Sequence, residues 1–329
     1  MKRLALVIVL LAALAGCGEQ QSPAGFLDRY VQDDGRVVRH DQGGDTVSEG
    51  QAYALLLAVA DRDEERFARV WDWTRTHLKR TDGLLAWRWK DGRVVDDEPA
   101  ADADLDAARA LLLAGERFDE PRYRDAARDL KQAIVDGETT WAADRTVLVA
   151  GPWARDGTIV ANPSYWSPKA FQQLGFEKVE QSSRQLTERL LETGLPPDWA
   201  RVEPFGIFPS GPPSGGDAAY SYDAVRLPVR LAESCDPGDR ELAARMWEKL
   251  RDDPGAARRG LDGAPATDDE HPAAYAGAAA AAWAAGDRAA ARDLLDRAAE
   301  LDAQRPSYYG SAWVELTRAM LEDGTLGDC

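Results

Sequence analysis

Three times along this chain of 329 residues, a helix that is apolar on nearly every face is followed by one that is apolar on a single face. Residues 52–60 (Ala-Tyr-Ala-Leu-Leu-Leu-Ala-Val-Ala) precede Glu64–Lys79, where Phe67, Val70, Trp71, Thr74 and Leu78 recur at spacings of three and four. Leu105–Ala114 precedes the amphipathic stretch Arg122–Val135, and Ala273–Ala285 precedes Arg288–Leu301. A helix without a polar face must be covered all round, whereas an amphipathic one covers a core and meets water. Further helical stretches fit near 26–32, 168–173, 181–193, 223–233, 238–250 and 307–321, which brings the total to about twelve. Alternating inner and outer helices are what a closed double ring requires. The expected architecture is therefore all-α: an (α/α)6 barrel formed by a single domain over residues 25–329. A helical solenoid is the alternative, but no fixed-period repeat of the tetratricopeptide kind is present.

Two long segments interrupt the helical pattern, 136–167 and 195–221. Both are rich in Gly, Pro and Trp, and loops of that length in a compact domain usually serve function. The only Asn of the chain, Asn162, sits in the first of them.

At the N-terminus, Lys2 and Arg3 precede an apolar run, Leu4 to Leu14, too short to span a bilayer and of the length of a secretory core. The run ends in Leu14-Ala15-Gly16-Cys17, which resembles the lipobox of bacterial lipoproteins. That resemblance implies a signal peptide over 1–16, lipidation of Cys17 and a short flexible tether over 17–24. The expected location is extracytoplasmic, held to the cell envelope by the lipid anchor. An oxidising compartment would leave Cys235 and Cys329 as an even pair, either joined in a disulfide or present as two free thiols.

Charge removes several functions. Forty basic and 57 acidic side chains give a formal net charge of −17. Such a chain repels nucleic-acid phosphates and anionic lipid surfaces alike. The three Cys and the three His (His40, His77, His271) show no metal-ligand spacing. No Ser/His/Asp set and no phosphate-cradling Gly-rich loop is apparent, and neither metal nor cofactor is expected.

What remains is acids beside aromatics. Glu49 lies in the first turn of the first apolar helix, Asp102, Asp104 and Asp106 at the start of the second, and Asp223 at the start of the 223–233 helix. Each has a plain structural alternative: helix capping for Glu49 and the 102–106 acids, an ion pair with Arg226 for Asp223. In an (α/α) barrel the same ends of inner helices meet at one mouth, so these acids converge. Two carboxyls across a cleft, one protonated and one ionised, are the minimal set for glycoside hydrolysis. Flat sugar faces stack on aromatic rings, which gives a use to several of the eleven Trp: Trp87 and Trp89 beside the Gly83-Leu84 turn, Trp153 and Trp166 in the first long segment, Trp199 at the start of the second. Trp71, Trp73 and Trp247 lie on helices and read as core.

These residues fall into eight segments that together resemble glycoside hydrolase family 8 in content and order. Ser48-Glu49-Gly50-Gln51-Ala52-Tyr53 comes first, then Trp71-Asp72-Trp73-Thr74 with Asp82-Gly83-Leu84-Leu85-Ala86-Trp87. Ala101-Asp102-Ala103-Asp104-Leu105-Asp106 matches the family's acidic signature. Asn162-Pro163-Ser164-Tyr165-Trp166-Ser167-Pro168, Gly194-Leu195-Pro196-Pro197-Asp198-Trp199, Tyr222-Asp223-Ala224-Val225-Arg226-Leu227-Pro228 and Tyr308-Tyr309-Gly310-Ser311 follow. The chain departs from the signature at Ala101, where the family has Ser or Thr, at Ala107 (Ile or Met) and at Phe118 (Trp). The resemblance implies that Glu49 is the general acid, Asp223 the general base, and Asp102 the acid beside the distorted sugar, with Asp104 as the neighbouring candidate for that last role. Expected substrate contacts are Asp104, Asn162, Tyr165, Tyr222 and Arg226 together with Trp87, Trp153, Trp166 and Trp199. By the same resemblance the expected activity is inverting endo-hydrolysis of neutral β-1,4-linked glucan. The alternatives are action on xylan or chitosan, trimming of a secreted exopolysaccharide beside its synthesis machinery, and a polysaccharide-binding lipoprotein without turnover.

Overall fold

Twelve helices carry the chain among the described residues of the computed structural model, which are 25–322, 324–326 and 329. The signal segment, Cys17 and the tether lie outside them. In chain order the helices are α1 (Phe26–Tyr30), α2 (Ser48–Ala60), α3 (Glu64–His77), α4 (Ala101–Arg117), α5 (Pro121–Glu138), α6 (Pro168–Leu174), α7 (Glu177–Thr193), α8 (Leu227–Glu233), α9 (Pro237–Leu250), α10 (Pro272–Ala284), α11 (Arg288–Gln304) and α12 (Tyr308–Leu321). The even-numbered helices each pack on the next, and α12 packs on α2, which closes an inner ring. Outside it, α3, α5, α7, α9 and α11 each cover the inner helix that precedes them, while α1 lies against α2 and α12. The expected (α/α)6 barrel is present.

The burial pattern gives the reason. Every residue of α2 except Glu49 is buried, so this helix needs neighbours on all sides. The outer helix α3 buries only Phe67, Val70, Trp71, Trp73 and Thr74, the one apolar face that its spacing offers. Pro121, Pro168, Pro237 and Pro272 open α5, α6, α9 and α10, where a missing N–H costs nothing. Asp63, Ser167, Asp236, Asp287 and Ser307 cap helix starts through side-chain oxygens.

Two expectations change. The helix expected over 223–233 begins instead as a 3-10 turn, Ala224–Arg226, before α8. Pro228 is the cause, because it lacks the N–H that the Ala224 carbonyl would accept. The segments read as long loops carry short strands that pair antiparallel. Near the N-terminus β1 (Thr46–Val47), β2 (Arg88–Lys90) and β3 (Arg93–Asp96) form one sheet, and β4 (Thr139–Ala142) pairs with β5 (Arg145–Leu148). Ala143 and Asp144 between them both take positive φ, the conformation of a two-residue hairpin turn. The third sheet joins β6 (Ile159–Ala161), β7 (Trp199–Glu203) and β8 (Gly206–Ser210). Ala200 and Val202 point inward, and Trp199, Arg201 and Glu203 outward.

Charge fills part of the barrel interior. Asp102, Asp106 and Arg109 of α4 pair with Arg226, Arg230 and Glu233 in and before α8, each pair 124 residues apart in sequence. Spacings of four and three put all three groups on one face of each helix. Buried ion pairs are costly unless fully hydrogen-bonded, and Arg230 meets Asp106 through both terminal nitrogens. At one end of the barrel the chain terminus is fixed: Cys235 and Cys329 form a disulfide with Cα atoms 5.2 Å apart, and the Leu326 carbonyl accepts from Arg109 and Gln173. No helix among the described residues is long and apolar enough to cross a membrane.

Candidate active site

The Arg226 side chain, 1% exposed, gathers the three acids that the sequence placed at helix starts. Its Nη1 donates to Glu49 Oε2 at 3.2 Å and to Asp102 Oδ2 at 2.8 Å, while Nη2 donates to Asp223 Oδ1 at 2.6 Å. The same guanidinium donates to the Tyr53 hydroxyl at 3.2 Å and, through Nε, to Ser164 Oγ at 3.1 Å. Tyr165 lies against its face, 5.2 Å from ring centroid to Cζ. The convergence expected from barrel geometry is therefore present, and its agent is a single arginine.

Exposure separates the three acids. The Glu49 and Asp223 side chains keep 20% and 30% of their surface open, whereas Asp102 keeps 4%. Glu49 also accepts from the Tyr308 hydroxyl at 3.2 Å. Gly50 permits this contact, since a Cβ there would stand 2.6 Å from the Tyr308 oxygen. Desolvation pushes the Glu49 carboxyl up to about 7, with Asp102 and Asp223 adding to the rise and Arg226 opposing it. Desolvation also raises Asp223, against which Arg226 and the Asn162 amide act to hold it ionised. Asp102 is raised by burial as well, with Arg226 again opposing.

A second layer fixes the loop that carries Asp223. The Asp198 carboxylate accepts from the backbone N–H of Ser221 at 2.9 Å and of Ala224 at 2.8 Å, and from the Ser221 hydroxyl. Asn162 accepts from the Ser164 N–H and hydroxyl, which holds Ser164 toward Arg226. Behind Glu49, the Gln51 amide is bonded to the Val37 N–H and the Thr74 hydroxyl, tying α2 to α3. Gly277 lets α10 press against the 3-10 turn, where a Cβ would lie 2.3 Å from the Val225 carbonyl oxygen.

Several expected substrate contacts lie elsewhere. Asp104 is fully buried and turned to other partners than Arg226: it accepts from the Leu85 N–H at 3.0 Å, and the buried Glu138 carboxyl is its electrostatic neighbour. That leaves Asp102 as the acid beside Glu49 and Asp223. Trp166 is buried and donates its indole N–H to the Leu148 carbonyl at 3.0 Å, so it has no open face for a sugar. Asn162 and Arg226 are buried supports of the acids, not part of the open surface. Trp87, Trp153 and Tyr222 are exposed. Trp199 stands 6.3 Å from both Trp153 and Tyr165, so an aromatic run leads from the surface to Arg226. The Tyr222 ring packs edge-on against His271 at 5.2 Å. Tyr309 donates its hydroxyl to the Tyr222 carbonyl at 2.6 Å.

Sequence reasoning gave no role to Asp198, Tyr53 or Tyr308. Each stands inside a segment singled out for resemblance, so position was visible and function was not. Among the described residues no group of three or more His, Cys, Asp or Glu is arranged to hold a metal ion.

Comparisons with known proteins agree with this geometry. The description of the glycosyl hydrolases family 8 fits residues 2–320. A probable endoglucanase of Novacetimonas hansenii is 33% identical over 248 residues, covering 70% of this chain and 72% of the relative. An endoglucanase of Xanthomonas axonopodis pv. citri is 32% identical over 261 residues, 73% of this chain and 66% of the relative. Among solved structures, the endo-beta-1,4-glucanase CMCax of Acetobacter xylinum superposes with a TM-score of 0.73 at 27% identity, covering 90% of this chain and 95% of that one. By this match over nearly its whole length, and with an (α/α)6 barrel and three converging acids, the chain belongs to the glycosyl hydrolases family 8.

Proposed function

We propose that the protein is an inverting endo-glucanase that cuts β-1,4-linked glucan outside the cytoplasm. The observation that carries this reading is that Glu49 and Asp223, the two acids whose side chains stay partly open, are held on two arms of one guanidinium. With its carboxyl pushed up to about 7, Glu49 keeps a proton in mildly acidic to neutral water and serves as general acid. It gives that proton to the glycosidic oxygen as the bond to the anomeric carbon breaks. Asp223, held toward its ionised form by Arg226, takes a proton from a water that attacks the opposite face of the sugar. Inversion follows, because the water bonds to the carbon directly and no glycosyl-enzyme forms. Asp102 lies under both and stabilises positive charge on the ring. The Trp153, Trp199 and Tyr165 run offers stacking faces for neighbouring sugars.

Glucan as substrate is supported by the relatives, whose names are endoglucanase or endo-beta-1,4-glucanase. The extracytoplasmic setting is supported by the Cys235–Cys329 disulfide and by the Leu14–Cys17 motif. A reducing-sugar assay on carboxymethylcellulose tests the reading. The wild-type chain releases ends steadily, and Glu49→Gln loses at least about a thousandfold of the rate while keeping its fold. Near-normal turnover in that variant removes Glu49 from its role. No turnover in the wild type on any β-glucan favours a binding lipoprotein instead.

A further inference from the structure

The two most exposed aromatic side chains lie outside the aromatic run that leads to Arg226. Trp141 on β4 is 69% exposed, and Phe205, at the turn between β7 and β8, is 90% exposed. Between them runs a groove of about 490 Å³, lined by Ile159 and Val202, which are cross-strand partners. On its other side Trp141 borders a second groove of about 370 Å³, and Asp144 lines both. The indole is thus a wall shared by two adjoining grooves, open to solvent on each side.

We propose that these grooves form a second glucan-binding site, which takes an uncharged β-linked sugar chain on its way to or from the acids; this rests on the endoglucanase reading. Three observations select that occupant. First, the charged side chains of the two grooves cancel: Asp144 and Glu203 against Arg145 and Lys178. On a chain of net charge −17, a neutral patch rimmed by hydrogen-bonding groups suits a neutral polyol. Second, Gln181 and Gln185 line the second groove beside Trp141, and Arg145 donates to the Gln185 amide oxygen at 3.0 Å. A flat ring flanked by amides and charges matches a sugar, whose apolar face stacks while its hydroxyls bond at the edge. Third, the site is continuous with the candidate cleft through one sheet. Strand β7 brings Glu203 to the groove on the same outward face as Trp199, which opens the strand at the acid end, where Asn162 follows β6. On the outward face of that sheet, Phe208 sits opposite Arg201 and continues the line from Trp199.

Exposed aromatics of this size also suit a lipid surface or a second copy of the chain. The test separates the three. Full-length protein carrying Glu49→Gln, with and without Trp141→Ala and Phe205→Ala, is titrated onto regenerated cellulose. Losing both rings weakens binding at least about tenfold, whereas the same two changes in the active chain leave hydrolysis of a short soluble cello-oligosaccharide unchanged. Unchanged cellulose binding overturns the proposal. So does loss, in the double variant, of binding to phosphatidylcholine vesicles or of a dimer seen by sedimentation. A wild-type chain that neither binds cellulose nor cuts the oligosaccharide overturns the endoglucanase reading and this site with it. Normal cutting with unchanged cellulose binding overturns the groove alone.

Discussion

Arg226 Nη1 reaches Asp102 Oδ2 at 2.8 Å, and one helical turn deeper Arg230 repeats the pairing with Asp106 at the same distance. The repetition shows that α4 and the segment leading into α8 face one another in register. The first pair lies at the site and the second beneath it. Arg226 bonds Glu49, Asp102 and Asp223 together and opposes the rise that burial imposes on all three carboxyls.

Replacing Arg226 therefore changes pH dependence as well as rate. Its charge opposes the rise of the Glu49 and Asp223 carboxyls, so both rise further without it. Asp223 must be ionised and Glu49 protonated, hence both limbs of the kcat/KM profile move to higher pH. Arg226→Lys keeps a charge and folds; it is expected to lose about a hundredfold in kcat because one ammonium cannot serve three carboxylates. Arg226→Met gives the full pH shift if it folds. A profile of Arg226→Lys that matches wild type contradicts this role.

Gly50 and Tyr308 act as one unit. A Cβ at position 50 would meet the Tyr308 hydroxyl, which donates to Glu49. Gly50→Ala and Tyr308→Phe are each expected to lower kcat about tenfold. The double variant should lose little more than either single one, since the second change removes a contact that is already broken. Additive losses would show that the two residues act separately.

Asp104 and Glu138 are a buried acid pair whose only mutual solution is a shared proton. Burial raises both carboxyls well above their usual range, the charge of Asp104 adds to the rise of Glu138, and neither Glu138 oxygen has a hydrogen-bond partner. A group raised in the folded state stabilises below its unfolded value, and that stability is lost as pH rises through the folded one. The wild-type Tm should therefore fall on the alkaline side. Glu138→Gln offers Asp104 an amide donor without titrating, so its Tm falls less as the pH is raised above the usual carboxylate range. An identical decline in both proteins would assign the loss to other groups.

The Cys235–Cys329 disulfide spans 94 residues and holds the terminus against the barrel. Reduction or Cys329→Ser is expected to cost about 2–4 kcal/mol of stability, most of it through the unfolded chain. Calorimetry with and without reductant measures it, and an unchanged Tm contradicts a structural role.

The barrel was legible because inner and outer helices differ in a property that a single chain displays, the width of the apolar face. Glu49, Asp102 and Asp223 were legible because each opens a buried helix, where an acid is out of place without a task. The hub was not legible. Arg226 bonds Glu49 across 177 residues and Asp102 across 124, and nothing local distinguishes it from a partner for Asp223 alone. Trp166 and Trp199 looked alike in Gly- and Pro-rich segments, yet one indole turned into the core and the other stayed half-open. Trp166 follows a 3-10 turn, and the strand that Trp199 opens is too short for a period of two to stand out from a loop. Asp198 carried no signal of its own, because its work is to accept from backbone groups of a loop that begins more than twenty residues later.

In the proposed reaction Glu49 and Asp223 act on opposite faces of one sugar, with water as the only nucleophile. Proton NMR of the first seconds of cello-oligosaccharide hydrolysis reads the anomer before it equilibrates. With inversion the α-anomer is expected first, and the β-anomer follows by mutarotation. Initial release of the β-anomer would contradict inversion.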